Sequence, residues 1–368
     1  MGKKPVEGRE KAWSVPYFAM GGVASALWQA PHLSAGDRLL NYVFSWLLPM
    51  ASIPNKISAL EKSRKLIANI SGSGFKHEMA MWEVTDLDFP RADGSMLRVV
   101  LCSCRRSAGK APLVVWYHGG AYTTGSEMDS SGAALWKAVI NKADQHEVVF
   151  ASVQYRVAPE HKAPAAAEDC ERAVRFLLNS DDLGAKHGYD RTRVHLWGQS
   201  AGAALALVVA ASLCRAGDSS NVASVLADSP MCHPPCDTAS FVQFARVGWL
   251  APAAWLRWAW KAYLQAETAE ELAAALRDPL VCPHTAPGGL DGVRGVSVVV
   301  ATGRADTLHD EGVRAAKAWR SAGASVSHVE LNASHCLGAV FDKAGWEVVT
   351  TALAGLLRGG ALVLADRH

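Results

Sequence analysis

From Met96 to Leu331 the chain alternates short apolar runs with longer helical ones, and few folds accommodate that order. The runs MLRVVLCS (Met96–Ser103), PLVVWYH (Pro112–His118), EVVFASVQY (Glu147–Tyr155), RVHLWG (Arg193–Gly198), ASVLADS (Ala223–Ser229), VSVVVAT (Val296–Thr302) and VSHVEL (Val326–Leu331) have strand length. Between them lie GAALWKAVINKADQ, APAAAEDCERAVRFLL, AGAALALVVAASLC and DEGVRAAKAWRSAG, of helix length, the last stopped at Gly323. Strands that are apolar almost throughout need cover on both faces, and the alternating helices supply it. The pattern therefore predicts a parallel sheet between two helical layers, with reactive side chains on loops at the carboxyl ends of the strands. One interval, Pro230 to about Pro287, breaks the alternation; it is tryptophan-rich and helical in character and predicts an inserted cap.

Within VHLWGQSAGAALALVVAASLC (Val194–Cys214), strand-type residues run into Gly198-Gln199-Ser200-Ala201-Gly202 and a helix follows at once. A serine between two glycines at such a corner fits a nucleophile elbow, a turn too tight for bulky neighbours. Gly and Ser also build ordinary tight turns, so partners elsewhere must decide.

Three other strand ends supply them. After the strand ending at His118 come Gly119 and Gly120, which let the backbone turn its N–H groups toward a developing negative charge. Asp306 lies just past the strand ending at Thr302, where a carboxylate can orient an imidazole. Asp310 is the rival acid, but it stands before a helix expected near Glu311, where an aspartate caps free N–H groups without any catalytic role. His335 occupies a short polar loop ahead of the final helix, GWEVVTTALAGLL. Ser200, Asp306 and His335 thus follow three different strands in the order nucleophile, acid, base.

On these residues the chain resembles the hormone-sensitive-lipase-like branch of the α/β hydrolases, which includes bacterial carboxylesterases and arylacetamide deacetylase. The resemblance runs from about Pro112 to the C-terminus and rests on YHGGAYTTGS, VQYRVAPEHKAPAAAEDC (Val153–Cys170), GQSAGAALAL, DPLVCP (Asp278–Pro283) and GRADTLHDEG with its downstream His335. It implies an α/β-hydrolase fold, with a mostly parallel central sheet flanked by helices. The core is expected in residues 76–229 and 288–368, under a helical cap from residues 1–75 and the insertion 230–287. It also implies a serine carboxylesterase for short- to medium-chain esters, with Ser200, Asp306 and His335 catalytic and no metal or organic cofactor. Backbone N–H groups of Gly119, Gly120, Ala121 and Ala201 would form the oxyanion hole, and Tyr122, Trp249 and Trp255 are candidate substrate contacts. In YRVAPEHKAPAAAEDC, Pro159 and Pro164 would stiffen the loop, with Glu168 and Asp169 in the first helical turn. The alternatives are a lipase, deacetylase or amidase of the same family at a membrane surface, and a non-catalytic receptor on this fold. His335 argues against the receptor, because receptors of that kind lack the histidine. The chain departs from the family at Ala121, where a third glycine is common, at Gln199, where an acid or threonine is frequent, and at Cys336-Leu337, where Gly-Phe is usual. None of these removes a catalytic group, but they leave substrate preference open.

Composition narrows the remaining partners. A net charge of +2 over 368 residues gives no electrostatic case for nucleic acid. The eight cysteines are scattered rather than framed for disulfides. MCHPPC (Met231–Cys236) and CPH (Cys282–His284) lack the spacing of paired-cysteine zinc knuckles. No formal charge falls between Ala12 and Gly36, but Pro16, Gly21, Gly22, Gln29, Pro31 and His32 interrupt a spanning helix there, and Leu39–Pro54 is shorter still. These segments read as buried or surface-docked helices. A cytoplasmic protein is favoured; membrane contact through the N-terminal segment stays open, as does the choice between monomer and homodimer.

Overall fold

The structure, a computed structural model, describes residues 57–80, 82–103, 111–143, 148–245 and 251–362. The uncharged N-terminal stretches and Trp249 lie outside the described residues. Eight strands form one sheet: β1 (Glu83–Pro90), β2 (Met96–Ser103), β3 (Ala111–Tyr117), β4 (Val149–Val153), β5 (Tyr189–Gln199), β6 (Val222–Asp228), β7 (Ser297–Gly303) and β8 (Ser325–Leu331). Their order is β1-β2-β4-β3-β5-β6-β7-β8. From β4 onward every pairing is parallel, whereas β2 runs antiparallel to both β1 and β4.

Each strand expected from sequence is present, and burial explains why. Every residue of β3 and β4 is buried, so both faces must be apolar. Along β3, Leu113, Val115 and Tyr117 point into one core, and Val114 and Trp116 into the other. The first core is completed by α3 (Ala165–Asn179) and α5 (Ala201–Arg215), and also by α9 (His309–Ser321). The second is completed by α2 (Ser130–Ala143) and α10 (Lys343–Leu357). In α5 all residues but Ser212 and Arg215 are buried, which suits its run of small apolar side chains. The short helix α4 (Asp181–His187) leads into β5, capped by the Ser180 hydroxyl and ended by Gly188 in the left-handed region.

Two further elements contact the loops that follow β3 and β4. Helix α1 (Ile57–Glu78) packs on α2 and buries Leu60 and Phe75, with Met79 buried just past its end. Its Arg64 donates to the carbonyls of Thr123 (2.7 Å) and Ala158 (2.6 Å) and pairs with Glu160 at 2.8 Å. The interval 230–287 holds α6 (Ala239–Gln243), α7 (Ala253–Leu264) and α8 (Ala269–Leu276). No helix among the described residues is long and apolar enough to cross a membrane.

Asp169 lies on α3, as expected, but its carboxylate is only 1% exposed and takes bonds from Arg91 Nε (2.9 Å), the Arg156 N–H (2.9 Å) and Arg156 Nε (3.0 Å). Removing it takes the one buried counter-charge from two partly buried guanidinium groups, leaving Arg156 only the more exposed Glu168 and Asp93. Asp169→Ala should lower the unfolding free energy by about 3–5 kcal/mol in urea titrations. A loss below about 1 kcal/mol would mean that the cluster is solvated like a surface pair.

Candidate active site

The chain turns from β5 into α5 at Ser200, whose backbone takes φ 58° and ψ −119°, a conformation that L-residues rarely adopt. The flanking glycines make the turn feasible. A Cβ on Gly198 would lie 2.2 Å from the Gly202 carbonyl oxygen, and one on Gly202 would lie 1.9 Å from that of Tyr117. The corner is held by the Ser200 N–H on the Asp228 carbonyl (2.8 Å) and by the Met231 N–H on the Ser200 carbonyl (3.1 Å).

Asp306 and His335 arrive from the ends of β7 and β8. Asp306 is fully buried; its Oδ1 accepts the Leu308 N–H at 2.9 Å, and its Oδ2 lies 2.8 Å from His335 Nδ1. His335 Nε2 lies 3.0 Å from Ser200 Oγ. The neutral tautomer that satisfies both contacts carries its proton on Nδ1 and accepts the serine hydroxyl at Nε2. Burial opposes the imidazolium, but the charge and hydrogen bond of Asp306, helped by Asp228, outweigh it and raise His335 above the ordinary 6.5.

Asp310 does not reach His335. Nor is it the helix cap expected from sequence: α9 starts at His309, and Leu308 holds the cap position. Its carboxylate instead accepts the Ser240 N–H at 2.9 Å, while the Asp310 N–H donates to Ser240 Oγ at 3.1 Å. Asp310 thereby ties α6 to α9.

The loop after β3 turns back on itself. The Thr123 and Thr124 N–H groups both donate to the Gly120 carbonyl, and Gly120 sits at φ 117°, where a Cβ would meet the Thr124 oxygen at 2.3 Å. His118 Nδ1 donates to the Gly119 carbonyl (2.7 Å), and the Tyr155 hydroxyl donates to the His118 carbonyl (2.7 Å). Among the described residues no acceptor takes the N–H groups of Gly120, Ala121 or Ala201. Gly119 lies beside the serine, a Cβ there coming within 3.4 Å of Ser200 Cβ.

A cavity of about 230 Å³ contains Ser200 and His335 and is lined by Gly119, Gly120 and Gln199 from the core, Ile67 from α1 and Trp255 from α7. A larger groove of about 1160 Å³ runs past Arg91, Glu168 and Arg175, away from both Ser200 and His335. It is open and its charges are largely paired, so we place the candidate chemistry in the smaller cavity. Trp255 reaches that cavity; Tyr122 does not. The Tyr122 ring stacks on Tyr263 at 4.1 Å and its hydroxyl donates to the Met231 carbonyl at 3.0 Å, which makes it a packing strut. Among the described residues no group of three or more His, Cys, Asp or Glu side chains could hold a metal ion.

Two carboxylates near the centre have roles that the sequence alone does not mark. Asp228 ends β6, a strand end like those that supplied the other partners, yet in ASVLADS it reads as the polar end of a strand. Burial pushes it up to about 6. Glu311, fully buried, accepts the Cys232 and His233 N–H groups at 2.7 Å each, pinning the start of the insertion to α9.

Residues 114–337, more than half of the chain, match the family described as alpha/beta hydrolase fold. The carboxylic ester hydrolase LipN of Mycobacterium tuberculosis is 33% identical over 251 residues, which is 66% of this chain and 61% of that protein. The ethyl acetate hydrolase of Pseudomonas putida is 28% identical over 66% of this chain and 71% of its own length. The chain spans about three fifths of LipN and only about a third of several plant carboxylesterase relatives. In fold, an esterase of Pyrobaculum calidifontis superposes with a TM-score of 0.70 at 24% identity, over 90% of this chain and 99% of that one.

Proposed function

Because the chain belongs to the alpha/beta hydrolase fold family, in its hormone-sensitive-lipase-like branch, we propose that it is a serine carboxylesterase acting on short- to medium-chain esters. The observation that carries this reading is the hydrogen-bonded series Asp306–His335–Ser200 in a cavity large enough for a small ester. In the proposed reaction His335 Nε2 takes the Ser200 proton as Oγ bonds to the ester carbonyl carbon, and Asp306 stabilises the resulting imidazolium. N–H groups of Gly120, Ala121 and Ala201 receive the oxyanion, each worth about 3 kcal/mol by analogy with other acyl-transfer sites. The C–O bond to the alcohol breaks, His335 returns the proton to it, and the acyl group stays on Ser200. Water then gives its proton to His335, attacks the acyl carbon and releases the acid, and Ser200 recovers its proton.

The base must be neutral to act, so kcat/KM falls as pH drops through the free-enzyme pKa of His335. That value is raised, so the acid limb should lie above the ordinary imidazole value of 6.5, with activity retained on the alkaline side. A limb that stays flat down to about pH 4, with chemistry rate-limiting, would exclude a histidine base.

The proposed cap consists of the N-terminal segment, with α1 at its end, and the insertion 230–287. Trp255 and Ile67 bound the cavity of about 230 Å³, and Trp260 is buried against Tyr122. Each methylene that fits should contribute up to about 0.8 kcal/mol, and one too many should cost roughly 1–3 kcal/mol. In a p-nitrophenyl ester series kept below micelle concentrations, rates should therefore peak between butyrate and octanoate. Preference for emulsified long-chain triglyceride, with a rate jump at the interface, would instead make the cap a lipid-docking lid.

A further inference from the structure

A second acid stands beside the proposed catalytic groups. Asp228 is 2% exposed and ends the strand next to the one that carries Ser200, with Gln199 and Asp228 directly paired in the sheet. Its backbone carbonyl accepts the Ser200 N–H at 2.8 Å. Its side chain reaches two ways. Oδ2 accepts Gln199 Nε2 at 3.0 Å, fixing the residue before the serine. Oδ1 accepts the Ser229 hydroxyl at 3.3 Å, and that oxygen accepts the Cys336 N–H at 3.3 Å, fixing the residue after His335. One carboxylate thus braces the loops that bear both ends of the Ser200–His335 hydrogen bond.

We propose that Asp228 is a positioning residue of this centre, which holds the Ser200 corner and the His335 loop in register and lends negative charge to the imidazolium formed on His335. The inference rests on the esterase reading for its kinetic part.

The charged and titratable groups around the pair are few. His335 faces Asp306 and Asp228, and Cys336, next in the chain, faces the same two carboxylates. Asp228 faces His335 and Asp306, with Gln199 and Ser229 as neutral donors. Glu311 faces Asp306, and burial drives it toward its neutral form; Asp129 faces Cys336 and His118. Asp306 holds the imidazole directly. Asp228 acts on it through the loop and through space, so its share is smaller but separable.

Asp228→Asn keeps the shape and the acceptor for Gln199 while removing the charge. The acid limb of kcat/KM, and the titration of the His335 Nδ1 proton followed by NMR, should both move to lower pH by roughly 0.5–1 unit. Turnover on the alkaline plateau should fall by up to about tenfold, a decade for each unit of lost basicity. Ser229→Ala cuts the brace and removes only the longer, 3.3 Å donor to Asp228, so it should lower kcat while moving the limb much less than Asp228→Asn does. If Asp228→Asn fails to fold, Gln199→Leu removes the donor that favours the ionised Asp228 and should move the limb in the same direction. An unmoved limb and an unmoved imidazole titration in these charge-altering variants would overturn the proposal. A wild-type protein that cleaves no ester would sink the esterase reading alone, because the imidazole resonance reports the coupling without substrate.

Discussion

Ser200→Ala should lower turnover of a p-nitrophenyl ester by at least about a thousandfold and abolish labelling by fluorophosphonates. The size of the effect follows from how the three groups depend on one another. Without Oγ there is nothing for His335 to deprotonate, so no acyl-enzyme forms, and the rest of the site can only bind the ester and polarise its carbonyl. What survives is the contribution of binding and of the N–H donors, which in comparable enzymes leaves roughly 10³–10⁴ over water. The substitution removes one oxygen at a position already committed to positive φ, so the fold should tolerate it, and circular dichroism and Tm should stay close to wild type. Full activity in the folded variant would remove Ser200 from the mechanism altogether.

Asp306→Asn should cost about 10⁴ in kcat, whereas Asp310→Asn should leave kcat near wild type and lower stability by about 1 kcal/mol. At 306 the amide is nearly isosteric, but its NH₂ presents a donor where His335 Nδ1 needs an acceptor. The imidazole then either loses its orienting bond or keeps it in the tautomer that cannot accept the serine proton. The cationic form also loses a fully buried counter-charge. At 310 the side chain is about a third exposed and serves the Ser240 N–H, which an amide oxygen can still accept. The expected cost is the weakening of a charge-assisted bond between α6 and α9. The pair of variants is measured by kcat on one ester and by urea midpoint. A reversed pattern would exchange the roles of the two acids.

The fold was legible where burial on both faces forces a continuous apolar run, as in PLVVWY and VSVVVAT. It was illegible in β1, where the exposed Asp86 and Asp88 alternate with Thr85, Leu87 and Phe89 at an edge that buries only Phe89. Edge strands satisfy one neighbour and solvent, so their sequence carries little hydrophobic signal. Among the candidate site residues, Ser200, Asp306 and His335 could be placed together because each follows a strand, and the sheet brings those ends to one rim. Tyr122 could not be placed, since a tyrosine after a glycine loop is equally suited to a pocket wall or a packing strut. The partner that decides, Tyr263, is 141 residues away. Asp310 illustrates the same limit: its role depends on Ser240, from another segment. Asp228 was hidden for a different reason, because its strand reads as core and the polarity of its last residue has meaning only once Gln199 and the His335 loop are packed against it.

The crowding around Gly198 and Gly202 bears on how this protein can change over generations. Each glycine faces main-chain atoms, which no rotamer shift in a neighbour can move aside. The two positions are therefore closed to substitution for as long as the corner keeps its shape. Divergence in what the cavity admits would then enter through α1, the insertion and the loop after β3, while the corner itself is inherited unchanged. A mutational library spread evenly over the cavity would waste its variants at the corner; one confined to Ile67, Trp255 and their neighbours would sample specificity without disturbing Ser200.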